Sequence, residues 1–163
     1  ITDIRRPIVF IADEGRENEI VKRLARVGYD NSVGYLVGGM ETWKAAGEEV
    51  KSIPSISPEE FDTRFAQGEK NVIDVRKPGE YNARHVEGAT LFPLDDIANN
   101  KGNLDKQTPA FVHCAGGYRS VIALSILEGE GHTNLTNIEG GFKAIQELQG
   151  VALSADLSCA SNA

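Results

Sequence analysis

An imperfect internal repeat constrains the fold of this chain more than any other feature. The first copy runs from Pro7 to Trp43, and the second runs from Pro109 to Ile145. Each copy has an apolar run, a polar loop, a helical stretch, a second short apolar run and a Gly-Gly pair that opens another helical stretch. Strands that alternate with helices predict a parallel sheet with helices on its faces. The repeat therefore predicts two related α/β units.

The second copy is preceded by a block that the first copy lacks. This block, from about residue 57 to residue 97, contains a helix start at Ser57-Pro58-Glu59-Glu60 and a buried strand near Ile73. We therefore expect residues 1–50 to be the back half of one domain and residues 51–150 to be a complete second domain. The tail at 151–163 is small and polar, and we expect it to be loosely ordered.

Composition and charge argue against two classes of function. A net charge of -7 disfavours nucleic-acid binding, which requires clustered Lys and Arg. The one dense basic stretch, at residues 22–26, has helical spacing and acidic neighbours, which favours a solvated helix face. No apolar run approaches the roughly 20 residues that span a bilayer, and no secretory signal is recognisable at the start. We expect a cytoplasmic protein that binds neither nucleic acid nor membrane.

The two cysteines, Cys114 and Cys159, are too few for a small disulfide-stabilised secreted scaffold. No Cys-x-x-Cys motif or paired histidine spacing indicates a metal site, so we expect no metal in this chain. A cysteine in such a protein is either a buried structural residue or a nucleophile, and the residues around it in the sequence indicate which. Cys159 lies in the tail, where a bystander thiol is favoured over a relay.

Cys114 follows the predicted strand at 110–113 and precedes a helical stretch from Val121 to Leu127. Its loop reads Cys114-Ala115-Gly116-Gly117-Tyr118-Arg119-Ser120. Glycines let backbone N–H groups point inward as a nest for an anion, and the positive end of the following helix adds to this field. A cysteine in this position is expected to have a lowered pKa and to be partly thiolate at neutral pH. We predict that Cys114 is a nucleophile.

The side chains at the end of this loop suggest further roles. Arg119 supplies a positive charge that would serve both the thiolate and an anionic substrate. Ser120 is placed to cap the helix or to donate to the sulfur, and Tyr118 is expected to line the mouth of the site.

Three segments of the chain, in order, resemble the rhodanese-like sulfurtransferase family. Residues 114–120 resemble the active loop of that family, which wraps one sulfur. Residues 72–76, followed by Glu80-Tyr81 and by His85-Val86-Glu87-Gly88-Ala89, resemble its front-half motifs. Gly140-Gly141-Phe142 resembles its closing motif before the last helix.

This resemblance implies an α/β fold with a central, mainly parallel sheet of about five strands flanked by helices, preceded by a partial copy of the same fold. It also implies a two-step transfer of sulfane sulfur. The Cys114 thiolate takes sulfur from thiosulfate or a low-molecular-weight persulfide, and the resulting persulfide passes it to cyanide, sulfite or a thiol. The resemblance implies no metal or organic cofactor in this chain.

Supporting roles are predicted for residues outside the loop. We expect Asp74 and Arg76 to make structural hydrogen bonds near the active loop rather than to take part in catalysis. His85 is expected to order its own turn. His113 adjoins Cys114, but alternation along a strand directs the two side chains to opposite faces, so we do not assign it as a base.

The first copy has no cysteine in the matching loop, Ala12-Asp13-Glu14-Gly15-Arg16-Glu17-Asn18, whose acidic residues should repel a thiolate or thiosulfate. Residues 1–50 therefore resemble a non-catalytic rhodanese-like half. Such a half before an active unit is similar to the end of bacterial fusion proteins with an upstream metallo-β-lactamase-fold persulfide dioxygenase. That resemblance implies a role in sulfide detoxification and a non-haem iron in the upstream domain only. Half a domain cannot easily bury its sheet, so we expect an upstream domain or another chain to complete it.

Two other functions stay open for the second copy. A cysteine-dependent phosphatase or arsenate reductase also uses a thiolate in an anion loop, but its loop places one more residue between Cys and Arg than the four found between Cys114 and Arg119. The smaller ring favours sulfur over phosphate. A non-catalytic interaction module is the other alternative, against which the retained Cys114 counts. The physiological donor and acceptor and the oligomeric state cannot be predicted from the sequence.

Overall fold

The computed structural model describes residues 3–100 and 104–155 of the chain. The chain divides into two compact units, Ile1–Ser52 and Ile53–Ala163. Cys159 and most of the predicted tail lie outside the described residues.

The first unit is a small β-α-β-α arrangement. Its elements are β1 (Ile8–Phe10), α1 (Glu17–Ala25), β2 (Ser32–Tyr35) and α2 (Gly39–Ala45). The two strands pair in parallel, and their apolar side chains are poorly covered: Val9 is 70% exposed and Val33 is 60% exposed. Among residues 3–52, only Gly39 is buried. Two strands and two helices offer too little apolar surface to enclose a core.

The second unit contains the larger sheet. Its strands are β3 (Ser55–Ile56), β4 (Val72–Asp74), β5 (His85–Val86), β6 (Thr90–Leu91), β7 (Ala110–His113), β8 (Leu135–Ile138) and β9 (Leu153–Ser154). Its helices are α3 (Pro58–Ala66), α4 (Pro78–Ala83), α5 (Ile97–Asn100), α6 (Tyr118–Gly129) and α7 (Gly141–Ile145), with a 3₁₀ turn at Leu94–Asp96.

Five of these strands form one parallel sheet in the order β3-β8-β7-β4-β6. The prediction of a central parallel sheet flanked by helices is confirmed. The back half of this unit, β7-α6-β8-α7, has the same order of elements as the first unit. The neighbouring interior strands β4 and β7 are buried at every position, as expected for a parallel sheet covered by helices on both faces.

Alternation along β7 divides the core into two clusters. Phe111 belongs to the cluster on one face, with Phe61 of α3 and Phe142 of α7. Val112 belongs to the cluster on the other face, with Leu127 of α6. Each fully buried side chain of this size stabilises the fold by about 1.5–3 kcal/mol. The two layers hold β7 in a fixed register, and Cys114 is the residue that follows it.

Local sequence signals explain how the front of this unit begins. The Ser57 hydroxyl accepts a hydrogen bond from the Glu60 amide at 3.2 Å, and Pro58 takes the first helical position of α3. This is the helix start that the sequence predicts.

The expected loose order of the tail is wrong for its first residues. Val151 is 5% exposed, and β9 pairs antiparallel with β5. The apolar residues Val151 and Leu153 pack on the core, and the β5 backbone supplies hydrogen-bond partners that a polar tail would otherwise take from water. None of the helices in the described part of the chain has the length and apolar character needed to span a bilayer.

Candidate active site

The site forms at the carboxyl end of the parallel sheet, where the loops after neighbouring strands meet. Cys114 directly follows β7, and Asp74 ends the adjacent strand β4, paired in register with His113. The Cys114 residue is 1% exposed and is a free thiol. The sheet therefore brings the predicted nucleophile and the Asp74–Arg76 segment to one edge.

The helix after the loop begins earlier than predicted. Helix α6 starts at Tyr118, not at Val121, because Gly117 turns the chain with a left-handed φ of 99°. Tyr118, Arg119 and Ser120 are thus the first helical turn, and the loop itself is only residues 114–117. Ser120 is not the cap: its hydroxyl donates to the Gly117 carbonyl at 3.0 Å.

Polar hydrogens surround the sulfur of Cys114. The Gly117 amide donates to Sγ at 3.1 Å, and the Ser120 hydroxyl lies 3.6 Å from Sγ. The Ser120 side chain is buried, and its single hydroxyl hydrogen can point either to the Gly117 carbonyl at 3.0 Å or to Sγ. The first amides of α6 also point their N–H groups toward this end of the helix.

The pKa of the Cys114 thiol is set by two opposing effects. Burial acts to raise this pKa. Hydrogen bonds from the side chain and amide of Ser120 act to lower it, and so do the amides of Gly116 and Gly117. The hydrogen bonds outweigh burial, so the pKa lies below the ordinary value for cysteine. The site favours a thiolate.

Arg119 is not the free cation that the sequence suggests. Its guanidinium forms a two-point ion pair with Glu80 of α4, with Nη1–Oε2 at 2.7 Å and Nη2–Oε1 at 2.8 Å. The Arg119 hydrogen bonds, as the main cause, lower the pKa of the Glu80 carboxyl to about 2. Sequence reasoning missed this partner because 39 positions separate the two residues; its one signal was Glu80 in the Glu80-Tyr81 motif.

Tyr118 and Gly116 form the outer surface of the loop. The Tyr118 side chain is 80% exposed, which is unusual for an aromatic residue. Gly116 is also exposed, whereas Ala115 is half-buried. Tyr118 is therefore available to contact a bound molecule, as a residue at the mouth of the site would be.

The Gly140-Gly141 pair supports the loop from behind, a role that sequence reasoning did not assign. The amide of Phe142 donates to the Cys114 carbonyl at 2.7 Å, and the amide of Lys143 donates to the Ala115 carbonyl at 3.0 Å. Gly141 has a φ of 58°, and a Cβ atom there would overlap the Cys114 carbonyl oxygen. Only glycine allows this close approach.

Asp74 and Arg76 form a buried ion pair beside this support. The Arg76 guanidinium donates to both Asp74 carboxylate oxygens, with Nη2–Oδ2 at 2.6 Å. It also donates to the Arg84 carbonyl at 2.8 Å and stacks over the Phe142 ring at 3.9 Å. These contacts connect the front half of the unit to the residue that holds the Cys114 carbonyl.

The match to a known domain decides the family of the chain. The sequence model of the rhodanese-like domain matches residues 57–148, which is more than half of the chain. The chain belongs to the rhodanese-like family. The matched segment includes the Asp74–Arg76 pair, the Cys114 loop and the Gly140-Gly141 pair.

Individual proteins agree with this assignment. Thiosulfate sulfurtransferase GlpE of Pseudomonas entomophila is 38% identical over 88 residues, which cover 54% of this chain and 80% of that protein. The uncharacterized protein YqhL of Bacillus subtilis is 32% identical over 89 residues, which cover 55% of this chain and 69% of that protein. The crystal structure of a rhodanese-like domain protein from Staphylococcus aureus has a TM-score of 0.56 and 28% identity, covering 63% of this chain and all of that one. The rhodanese-like domain thus belongs to a sulfurtransferase family.

His85 and His113 of the rhodanese-like domain pack against aromatic rings and lie within hydrogen-bond distance of backbone or hydroxyl groups. His85 Nδ1 lies 2.8 Å from the Tyr81 carbonyl, its ring stacks on Tyr81 with centroids 3.7 Å apart, and Nε2 lies 3.3 Å from the Ser154 hydroxyl. His113 lies on the opposite face of β7 from Cys114 and stacks on Phe142. Burial lowers the pKa of His113, and nearby Asp74 only partly offsets this effect.

The first unit shares one type of backbone contact with the Cys114 loop. Gly39 approaches the Ala12 carbonyl, to which a Cβ would lie at 2.9 Å, just as Gly141 approaches the carbonyl of Cys114. The Gly15 amide donates to the Glu17 carboxylate at 3.1 Å. The Glu17 carboxylate thus already accepts the hydrogen bond that the Gly15 amide would otherwise donate to a bound anion.

No group of three or more His, Cys, Asp or Glu residues arranged to hold a metal ion occurs within residues 3–100 and 104–155.

Proposed function

We propose that the rhodanese-like domain is a sulfurtransferase in which Cys114 carries sulfane sulfur as a persulfide. The Gly117 amide at 3.1 Å from Sγ carries this proposal, because an N–H donor at that distance stabilises a thiolate and, later, the negative charge of a persulfide. The lowered pKa of Cys114 increases the fraction of thiolate at any given pH.

In the first step, the Cys114 thiolate attacks the outer sulfur of the donor. With thiosulfate, a new S–S bond forms to Cys114, the bond between the two donor sulfurs breaks, and sulfite leaves with the electron pair. With a thiol persulfide, the leaving group is the thiolate, which takes up a proton from water. Neither case requires an oxidant or a reductant.

In the second step, an acceptor attacks the outer sulfur of the Cys114 persulfide. The acceptor takes the outer sulfur: cyanide becomes thiocyanate, sulfite becomes thiosulfate, and a thiol becomes a persulfide. The bond between the two sulfurs of the Cys114 persulfide breaks, and the Cys114 thiolate is regenerated. Splitting the transfer in this way makes two easier exchanges out of one difficult step. The amides of the loop act on the sulfur in both steps, so we propose no separate base, metal or organic cofactor.

Turnover assays test this function with the whole chain. We expect thiocyanate to form from thiosulfate and cyanide, and thiosulfate to form from glutathione persulfide and sulfite. Cys114→Ser should abolish both products, whereas Ser125→Ala, an exposed position on α6, should retain them. The proposal is wrong if the wild type produces neither, or if Cys114→Ser retains turnover. Hydrolysis of a phosphate ester that requires Cys114 would instead support a phosphatase, and a partner held equally by Cys114→Ser would support an interaction module.

We also propose that residues 1–50 are the back half of a non-catalytic rhodanese-like unit, which an upstream metallo-β-lactamase-fold domain or another chain completes. The shared β-α-β-α order and the approach of Gly39 to Ala12 support this proposal. Introducing Ala12→Cys into the Cys114→Ser variant tests it. We expect no gain of sulfur from thiosulfate, because Asp13 and Glu17 repel the dianion. A stable persulfide at position 12 would contradict a non-catalytic role.

A cytoplasmic location is proposed as well, because a reactive free thiol such as that of Cys114 is kept reduced in that compartment.

A further inference from the structure

An ion pair joins Glu80 of α4 to Arg119, which lies in the first turn of the helix that follows the active loop. Both hydrogen bonds are short, at 2.7 and 2.8 Å, and they use both oxygens of the carboxylate and both terminal nitrogens of the guanidinium. The side chains are 36% and 28% exposed, respectively. A two-point pair of this kind fixes orientation as well as distance.

Glu80 is held in place independently of Arg119. It is the third residue of α4, and its Oε2 accepts a hydrogen bond from the Lys77 amide at 3.2 Å. The positive end of a helix also favours a carboxylate at this position. With a pKa of about 2, the carboxylate stays charged at every pH at which the protein would work. The hydrogen bonds that Glu80 accepts from Arg119 and from the Lys77 amide therefore involve a charged carboxylate.

Arg119 lies in the first turn of α6, directly before Ser120, whose hydroxyl is 3.6 Å from Sγ. Glu80 is the main cause that raises the pKa of Arg119, and the charge of Cys114 raises it further. An unpaired guanidinium would therefore attract anions to the sulfur. When Arg119 is paired with Glu80, the pair has no net charge, and both terminal nitrogens of the guanidinium already donate to the carboxylate.

We propose that Glu80 determines the donor preference of the site by neutralising Arg119, and that it disfavours thiosulfate relative to thiol persulfides. This inference rests on the sulfurtransferase function proposed above. Glu80 acts through Arg119 and is therefore a positioning residue rather than a catalytic one.

The charges of the two donors explain the expected preference. Thiosulfate carries two negative charges on one small ion and must approach a thiolate, so three negative charges meet at the sulfur. A thiol persulfide brings one or no charge at its reacting end. The positive charge of an unpaired Arg119 would offset this repulsion of thiosulfate, and Glu80 cancels most of that charge. Tyr118 precedes Arg119 in the chain, and its ring is exposed. This ring would contact the organic part of a persulfide donor, whereas a small dianion has no apolar surface to pack against it.

The test compares Glu80→Gln with Glu147→Gln in the whole chain. Glutamine can still accept the Lys77 hydrogen bond, so the start of α4 keeps its cap, while the charge is removed. Glu147 is exposed, so Glu147→Gln controls for the change in net charge. For each variant, kcat/KM is measured with thiosulfate and with glutathione persulfide, at low and at high ionic strength.

We expect Glu80→Gln to raise kcat/KM for thiosulfate by about 3–10-fold at low ionic strength, which is the effect of one unit charge near a protein surface. The value for glutathione persulfide should change by less than about twofold, and added salt should reduce the gain for thiosulfate. Glu147→Gln should leave the ratio of the two donors unchanged.

An unchanged ratio in Glu80→Gln, or equal effects in both variants, would overturn the role of Glu80. In either of those cases the wild type still forms a persulfide, and the proposed function stands. If the wild type forms no persulfide from either donor, it is the proposed function that fails.

Discussion

The amide of Phe142 donates a hydrogen bond to the carbonyl of Cys114 at 2.7 Å, so the active loop is held by the segment that follows β8. The residue before Phe142 is Gly141, whose Cα faces the same carbonyl with no room for a side chain. The loop therefore has two supports: the Gly117 turn in front of α6 and the Gly140-Gly141 turn in front of α7. Both depend on glycine with a positive φ.

Replacing Gly141 tests the support behind the loop. Gly141→Ala should cost at least about 2 kcal/mol in the free energy of unfolding, because the new Cβ overlaps the Cys114 carbonyl and the backbone angle is strained. The measurement is urea unfolding, together with the rate at which iodoacetamide alkylates Cys114. Gly129→Ala, at the end of α6 with open space around it, is the control and should leave stability equal or higher. Equal stability of the two variants would mean that the loop does not need this contact.

Replacing Ser120 tests how the thiolate is stabilised. Ser120→Ala removes the hydroxyl that lies 3.6 Å from Sγ, so the pKa of Cys114 should rise. Because alkylation requires the thiolate, its rate in the wild type should increase with pH through the lowered pKa and then level off. In Ser120→Ala the midpoint should move to higher pH, and the rate at pH 7 should fall by up to about tenfold. Ser125→Ala on the exposed side of α6 should match the wild type; a shared midpoint for all three proteins would contradict the role of Ser120.

The buried pair of Asp74 and Arg76 should affect stability rather than chemistry. Asp74→Asn leaves the Arg76 guanidinium, which is 4% exposed, without its counter-charge, at a cost of about 3–5 kcal/mol. The pH midpoint of Cys114 alkylation in the folded fraction should stay as in the wild type. Asp96→Asn, at an exposed position, should change stability by less than about 0.5 kcal/mol. A shifted alkylation midpoint in Asp74→Asn would assign this carboxylate a direct effect on the sulfur.

His113 should make stability depend on pH. Burial lowers its pKa, so below about pH 6.5 the unfolded chain binds a proton that the folded protein does not. The free energy of unfolding should therefore fall as the pH decreases below that value, by at most about 1.4 kcal/mol per pH unit for this one group. His113→Leu, which keeps an apolar group against Phe142, should lose this part of the pH dependence between pH 7 and 5. It should retain sulfur transfer, because the side chain faces away from Cys114. Unchanged pH dependence in this variant would show that folding does not lower the pKa of His113.

Local patterns in the sequence were sufficient to predict most of the fold. The apolar runs that became β4 and β7, the Ser57 cap of α3 and the Gly-Gly turns are all determined by neighbouring residues, and the structure has each of them. The strand-helix alternation then leaves few arrangements other than a parallel sheet.

The parts that were missed depend on contacts between distant positions. The pairing of Arg119 with Glu80 requires α4 and α6 to meet, and no local pattern indicates which acidic residue an arginine will find. The early start of α6 follows from the left-handed turn at Gly117. The sequence does not show which of the glycines in the loop adopts this conformation. The order in the tail depends on β5, whose free edge accepts Leu153 and Ser154.

The most direct test of the central claim is intact-protein mass spectrometry after brief exposure to thiosulfate or to glutathione persulfide, followed by peptide mapping. We predict a gain of one sulfur atom, located on Cys114, that cyanide or sulfite removes and that Cys114→Ser lacks. If neither donor adds sulfur to a protein whose Cys114 is still open to alkylation, or if the added sulfur is located on Cys159, then Cys114 is not the sulfur carrier.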